Sequence, residues 1–108
     1  MRGLRVESRN GGDQVLLCVH GELDMATAPD LEVALERALR ETARQVVVDL
    51  RGVGFMDSTG LALLVRQEQL ARAASRRLII VKGPPQVDQV FELTGVSGFL
   101  TLVGEPPC

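Results

Sequence analysis

The stretch Gln45–Leu70, QVVVDLRGVGFMDSTGLALLVRQEQL, decides how this chain folds. Gln45–Leu50 is a continuous β-branched and aliphatic run, which predicts a central strand covered on both faces. Ser58 to about Ser75 has helical spacing. The short loop between them delivers Asp57 and Ser58 to the helix's first turn. Backbone N–H groups there have no partner in the helix and carry a partial positive charge. A serine hydroxyl at that point is well placed to carry a phosphate, because the added dianion meets a favourable field. A plain N-cap is the simpler reading, since Asp57 and Ser58 are both favoured capping residues.

The same rules extend outward on both sides. Leu4–Ser8 and Val15–His20 read as strands joined by the turn Asn10-Gly11-Gly12-Asp13. Thr27 is positioned to cap a helix, with Pro29 in its first turn and Asp30 at the capping-box position. Leu31, Ala34, Leu35, Ala38 and Leu39 form one apolar face. After the second helix, Leu78–Val81 reads as a buried strand, and Gly83-Pro84-Pro85 breaks the chain. Val87, Val90, Phe91 and Thr94 mark a third helix ending at Gly95. Phe99–Val103 reads as a weaker last strand. Strands alternating with helices predict a single α/β domain over residues 1–108 with a mixed sheet. The GEPPC tail, residues 104–108, is expected to be mobile.

On the second helix, ~100° per residue places Leu63, Leu64, Gln67, Leu70, Ala71 and Ala74 toward the core. Ser58 projects roughly opposite, and Leu61, Val65, Glu68 and Arg72 share its side. Leu61 and Val65 are then either a docking pair beside the serine or packing under a neighbouring element. Gly60 weakens the first turn by up to ~1 kcal/mol against alanine, which points to a need for its missing side chain. Close approach of a partner's backbone is one such need.

Composition narrows the function. A net charge of −2 with both signs interspersed argues against a duplex-binding surface. With no Trp or Tyr, stacking platforms for single strands are poorly supplied. No apolar run approaches the ~20 residues of a membrane span, and the start lacks the apolar segment of a secretion signal. A cytoplasmic location without nucleic-acid or membrane partners is expected. Cys18 and Cys108 read as free thiols, Cys18 as a small core residue.

Catalysis is not expected. A triad of Ser58, Asp57 and His20 lacks the G-x-S-x-G elbow, and adjacent Asp and Ser do not create base-to-nucleophile geometry. His20 ends the second strand, where a structural role is the common one. One histidine and two distant cysteines supply no metal cluster. Asp24, Asp49 and Asp57 could converge at the sheet's carboxyl edge, but Asp49 and Asp57 are better read as loop tie and helix cap. No phosphate-cradling glycine loop is present, so no cofactor is expected.

Three segments together resemble the STAS domain family, and within it the anti-sigma factor antagonists. They are GELDMATAPDLEVAL (Gly21–Leu35), VVVDLRGVGFMDSTGLALLV (Val46–Val65) and LIIVKGPPQVDQVFELTGVSGFL (Leu78–Leu100). The resemblance implies a mixed sheet of about five strands with helices packed largely on one side. It implies that Ser58 is phosphorylated by an anti-sigma factor with serine-kinase activity. The unmodified form would bind that kinase and free the sigma factor; the phosphorylated form would let go until a phosphatase resets it. It places Asp24 near the partner-binding surface. Met25, Met56, Asp57, Thr59, Gly60, Leu61 and Val65 complete the expected surface. A STAS-type adaptor in a transport or stress-signalling assembly is the competing expectation, and Met25, Met56 and Phe55 would suit either.

Overall fold

The computed structural model describes residues 3–41 and 44–106, with the side chains of Val96 and Ser97 left aside. Five strands form one sheet in the order β1 (Leu4–Gly11), β2 (Gln14–Leu23), β3 (Gln45–Met56), β4 (Arg77–Val81) and β5 (Thr101–Val103). Only the β1–β2 pairing is antiparallel; the other three are parallel, so the sheet is mixed. The β1–β2 hairpin turns through Gly12, whose φ of +63° is reached at little steric cost without a side chain.

Helices α1 (Ala28–Arg40), α2 (Ser58–Ala73) and α3 (Pro85–Thr94) supply the crossovers between parallel strands. All three pack on one face. Val15, Leu17, Val48, Leu50 and Ile80 from the sheet join Leu31, Leu35, Leu64 and Phe91 from the helices in one core. The alternate residues Val47, Ile79 and Val81 form a second, smaller cluster with Leu16 and Val103 and no helical residue. The continuous β3 run therefore reflects burial on both faces without helices on both. Val47 is fully buried by neighbouring strands rather than by a second helical layer.

Several boundaries differ from the sequence expectation: β1 runs on to Gly11, and β2 spans Gln14–Leu23, so His20 lies within that strand and does not end it. β3 runs on past Leu50 to Met56, because Gly52–Met56 keep pairing with β2 through register shifts at Cys18/His20 and Gly21/Glu22. A 3-10 turn at Val96–Phe99 precedes β5, which shortens the last strand. Gly95 closes α3 in the left-handed region at φ +70°, as its position requires. Cys18 is half-buried on the helix-free face, not in the core, because β2 alternation turns Leu17 and Val19 inward instead. Pro107 and Cys108, the last two tail positions, lie outside the described residues.

Candidate functional site

Parallel pairing brings the carboxyl ends of β2 and β3 to the same edge of the sheet, where Leu23 pairs with Met56. The segments that follow, 24–27 and Asp57, therefore lie side by side. The Asp57 N–H donates to the Leu23 carbonyl at 3.2 Å, fastening one to the other.

Asp57 is the N-cap of α2, and its carboxylate accepts from the N–H groups of Thr59 (2.9 Å) and Gly60 (3.2 Å). That leaves Ser58, the first helical residue, exposed, and its hydroxyl makes no hydrogen bond among the described residues. The capping duty that could have occupied this serine falls on the residue before it.

The start of α1 is built differently. Thr27 occupies the N-cap position but caps nothing with its side chain, so the expected capping box does not form. Its hydroxyl donates to the Glu22 carbonyl at 2.7 Å and accepts from the Asp24 N–H at 3.0 Å. Asp24 ties down the loop ahead of the helix, its carboxylate accepting from the N–H groups of Ala26 (3.0 Å) and Thr27 (3.1 Å), and no side chain caps α1. Asp24 thus sits hydrogen-bonded within its loop beside the α2 start, partly exposed.

Around these loops, Met25 is 76% exposed and Phe55 48% exposed. Asp24, Asp57 and Thr59 are part-buried, and Ser58 is exposed. The remaining expected surface residues turn inward. Leu61 is 5% exposed and Met56 3%, both members of the core. Val65 is half-buried and packs against that core. Gly60 is buried because its Cα faces β2: a Cβ there would sit 2.7 Å from Leu23 Cγ and 3.0 Å from Met56 Cγ. Internal packing, not a partner's backbone, accounts for this glycine.

The assignment of α2 faces needs correction for the same reason. Glu68 is 8% exposed, whereas Leu70 is half-exposed. α2 is the middle helix of the layer and touches both α1 and α3, so its buried arc is wide and turned from the expected centre. The i,i+4 bond from Arg72 to Glu68 at 3.1 Å keeps the nearly buried Glu68 paired.

His20, Asp49 and Cys18 gather elsewhere. They line a groove on the helix-free face with Glu7, Arg9 and Arg51, and neither Asp57 nor Ser58 borders it. Asp49 is not a loop tie: Arg51 binds it through its backbone N–H (3.0 Å), Nε (3.0 Å) and Nη2 (2.8 Å). Burial alone would push the Asp49 carboxyl up, but these hydrogen bonds and the Arg51 charge outweigh it and hold it below its ordinary 3.8. The His20 ring covers Gly52, where a Cβ would lie 2.3 Å from Nδ1. Among the described residues no group of three His, Cys, Asp or Glu could hold a metal ion. No helix of these residues is long and apolar enough to cross a membrane.

Known proteins share both the sequence and the fold. The family model described as "Mlab, STAS domain" matches residues 6–104. The anti-sigma-B factor antagonist of Staphylococcus aureus is 34% identical over 82 residues, 76% of each chain. The crystal structure of an anti-sigma factor antagonist from Mycobacterium paratuberculosis superposes with a TM-score of 0.86 at 25% identity, over 94% of this chain and 86% of that one. SpoIIAA shares the fold in its unphosphorylated form, with a TM-score of 0.77 at 20% identity over 94% and 90% of the two chains. The phosphorylated form from Bacillus gives 0.68 at 21% identity over 94% and 92%.

Proposed function

The chain belongs to the STAS domain family, and on that premise we propose that it is an anti-sigma factor antagonist whose switch is Ser58. In its unmodified form it binds an anti-sigma factor that is also a serine kinase, and the sigma factor is released. Phosphorylation of Ser58 by that kinase ends the binding, and a phosphatase restores it. The protein acts in the cytoplasm and does no catalysis of its own.

One observation carries this reading: an exposed serine stands first in a helix whose cap is already supplied by its neighbour. A kinase can reach the hydroxyl, and removing it from solvent hydrogen bonding costs the fold nothing. Phosphate would bring up to two negative charges beside Asp57 and near Asp24. The helix dipole makes that charge tolerable to this chain, while a partner shaped for a neutral serine meets repulsion, desolvation and bulk. A penalty of ~3 kcal/mol would weaken the complex about a hundredfold. Met25 and Phe55, exposed beside the serine, and the part-buried Asp24 and Thr59 form the contact surface. Leu61, Met56 and Gly60 act from beneath by fixing the first turn.

Incubating the purified chain with its anti-sigma factor and ATP tests the proposal. Phosphate on Ser58, lost in Ser58→Ala, is the expected result. Stable binding indifferent to Ser58→Ala and Ser58→Asp would instead favour an adaptor subunit without a sigma-factor role.

A further inference from the structure

The two edges of the sheet are not alike. β5 closes one side with three residues, too short to template another strand. β1 closes the other with eight, and among the described residues no strand pairs with its outer side. It contains no proline, its register with β2 runs without a bulge, and from Glu7 to Gly11 every residue is exposed.

The ladder fixes which β1 backbone groups face outward. The Glu22 N–H donates to the Gly3 carbonyl at 3.0 Å, and the register that sets Leu4 opposite Gly21 puts Gly3 opposite Glu22. Hydrogen-bonded pairs alternate along an antiparallel ladder, so Arg5, Glu7 and Arg9 turn their N–H and C=O groups toward β2. Gly11 and Gln14, which close the two-residue turn, fall in the same set, as such a hairpin requires. Val6, Ser8 and Asn10 therefore present theirs to solvent.

Charged side chains usually blunt an edge, but on β1 they alternate in sign and complement themselves. On the helix-free face Glu7 lies 3.3 Å from Arg5 and 3.9 Å from Arg9, all three exposed. In a second β1 approaching antiparallel, with Ser8 opposite its own copy, Val6 meets Asn10 and Ser8 meets Ser8 as hydrogen-bonded pairs, about six bonds in all. Glu7 of each copy then falls opposite Arg9 of the other, in the pairs where side chains come closest. Centring on Glu7 or Arg9 would set like charges against each other. Centring on Val6 would set Glu7 against Arg5, but it draws in Leu4 and the half of the strand packed on the core beside α1. We infer that β1 is a contact between two copies of this chain, paired antiparallel about Ser8 into one continuous sheet. The contact is small, so the dimer is weak and concentration-dependent. Ser58 follows β3, two strands in from this edge, so the pairing leaves it open and does not depend on its role.

Sedimentation equilibrium of the full chain up to about 1 mM, the weak end of measurable affinity, tests this. The mass should rise from one chain to two. The Val6, Ser8 and Asn10 amides should gain protection from hydrogen exchange with concentration, while those of Glu7 and Arg9 are protected throughout. Ser8→Pro removes the central donor of each copy without touching the β2 ladder, and should weaken the dimer about tenfold or more. Glu7→Arg should also weaken it, and adding Arg9→Glu should restore it, which a Val6-centred pairing would not allow. Ser58→Ala should dimerise like the parent. A monomer throughout, a dimer indifferent to Ser8→Pro, or a charge swap that fails to restore would overturn the proposal. So would a Ser8→Pro chain that does not fold, because that N–H would then belong to the β2 ladder.

Discussion

Of the helices that begin at the carboxyl edge of the sheet, α1 and α2 start in opposite ways. At α1 the hydroxyl of Thr27 is spent inside the chain, held between the Glu22 carbonyl and the Asp24 N–H. At α2 the carboxylate of Asp57 takes the capping duty, and the hydroxyl of Ser58 is left to solvent. At each start an aspartate stands upstream of a hydroxyl residue. What differs is their spacing: where the acid immediately precedes the hydroxyl residue, the acid caps and the hydroxyl is free to be modified. Where the acid lies three residues upstream, a tight turn forms and consumes both.

This contrast holds only if α2 turns from surface to core within its first turn, and Leu61 is the residue that decides it. Leu61→Arg should destabilise the fold by ~3 kcal/mol or more, since it forces a charge into an apolar core. The melting temperature would then drop by more than about 10 °C; a variant that melts with the parent would put Leu61 on the surface. Gly60→Ala is expected to lose about 1–2 kcal/mol in denaturant unfolding, because overpacking against Leu23 and Met56 exceeds the gain in helix propensity. A stabilised Gly60→Ala would show that the first turn has slack.

The hydroxyls themselves give the sharpest contrast at smaller cost. Thr27→Val should lose about 1 kcal/mol by stranding the Asp24 N–H, and Asp57→Ala a similar amount by uncapping α2. Ser58→Ala should stay within roughly 0.5 kcal/mol of the parent by the same measurement. Equal losses at Thr27 and Ser58 would erase the distinction between the two starts.

The smallest expected effect concerns a third aspartate, one with no capping task. Asp49 has its folded pKa held below the ordinary value, so its contribution is present above the unfolded pKa of about 3.9 and is lost as pH falls through the lower folded value. Unfolding free energy measured from pH 5 downward should fall less steeply in Asp49→Asn than in the parent. Identical slopes would mean that the Arg51 pair stabilises nothing.

The α1 stripe was legible in the sequence because one side of that helix faces the core and the other faces water, and Leu31, Leu35 and Ala38 are buried accordingly. α2 was not, because it is flanked by α1 and α3 and buries residues over a wide arc. A single-face periodicity therefore misplaced Leu61, Glu68 and Leu70. Ser58 and Asp57 could be singled out from local rules alone, since a cap involves only sequence neighbours. The roles of Asp24 and Thr27 could not, because which N–H groups the Asp24 carboxylate reaches, and that Thr27 bonds back to the loop instead of capping, depend on the turn geometry. The extension of β3 to Met56 was hidden by Gly52 and Gly54, which break the β-branched run although backbone pairing with β2 continues.

The affinity of the unmodified and the Ser58-phosphorylated chain for the anti-sigma factor, measured by calorimetry with both melting temperatures, tests the switch most directly. Binding should weaken about a hundredfold on phosphorylation while the melting temperatures stay within a few degrees, roughly the span of 1 kcal/mol. Equal affinities of the two forms would contradict a switch at this hydroxyl.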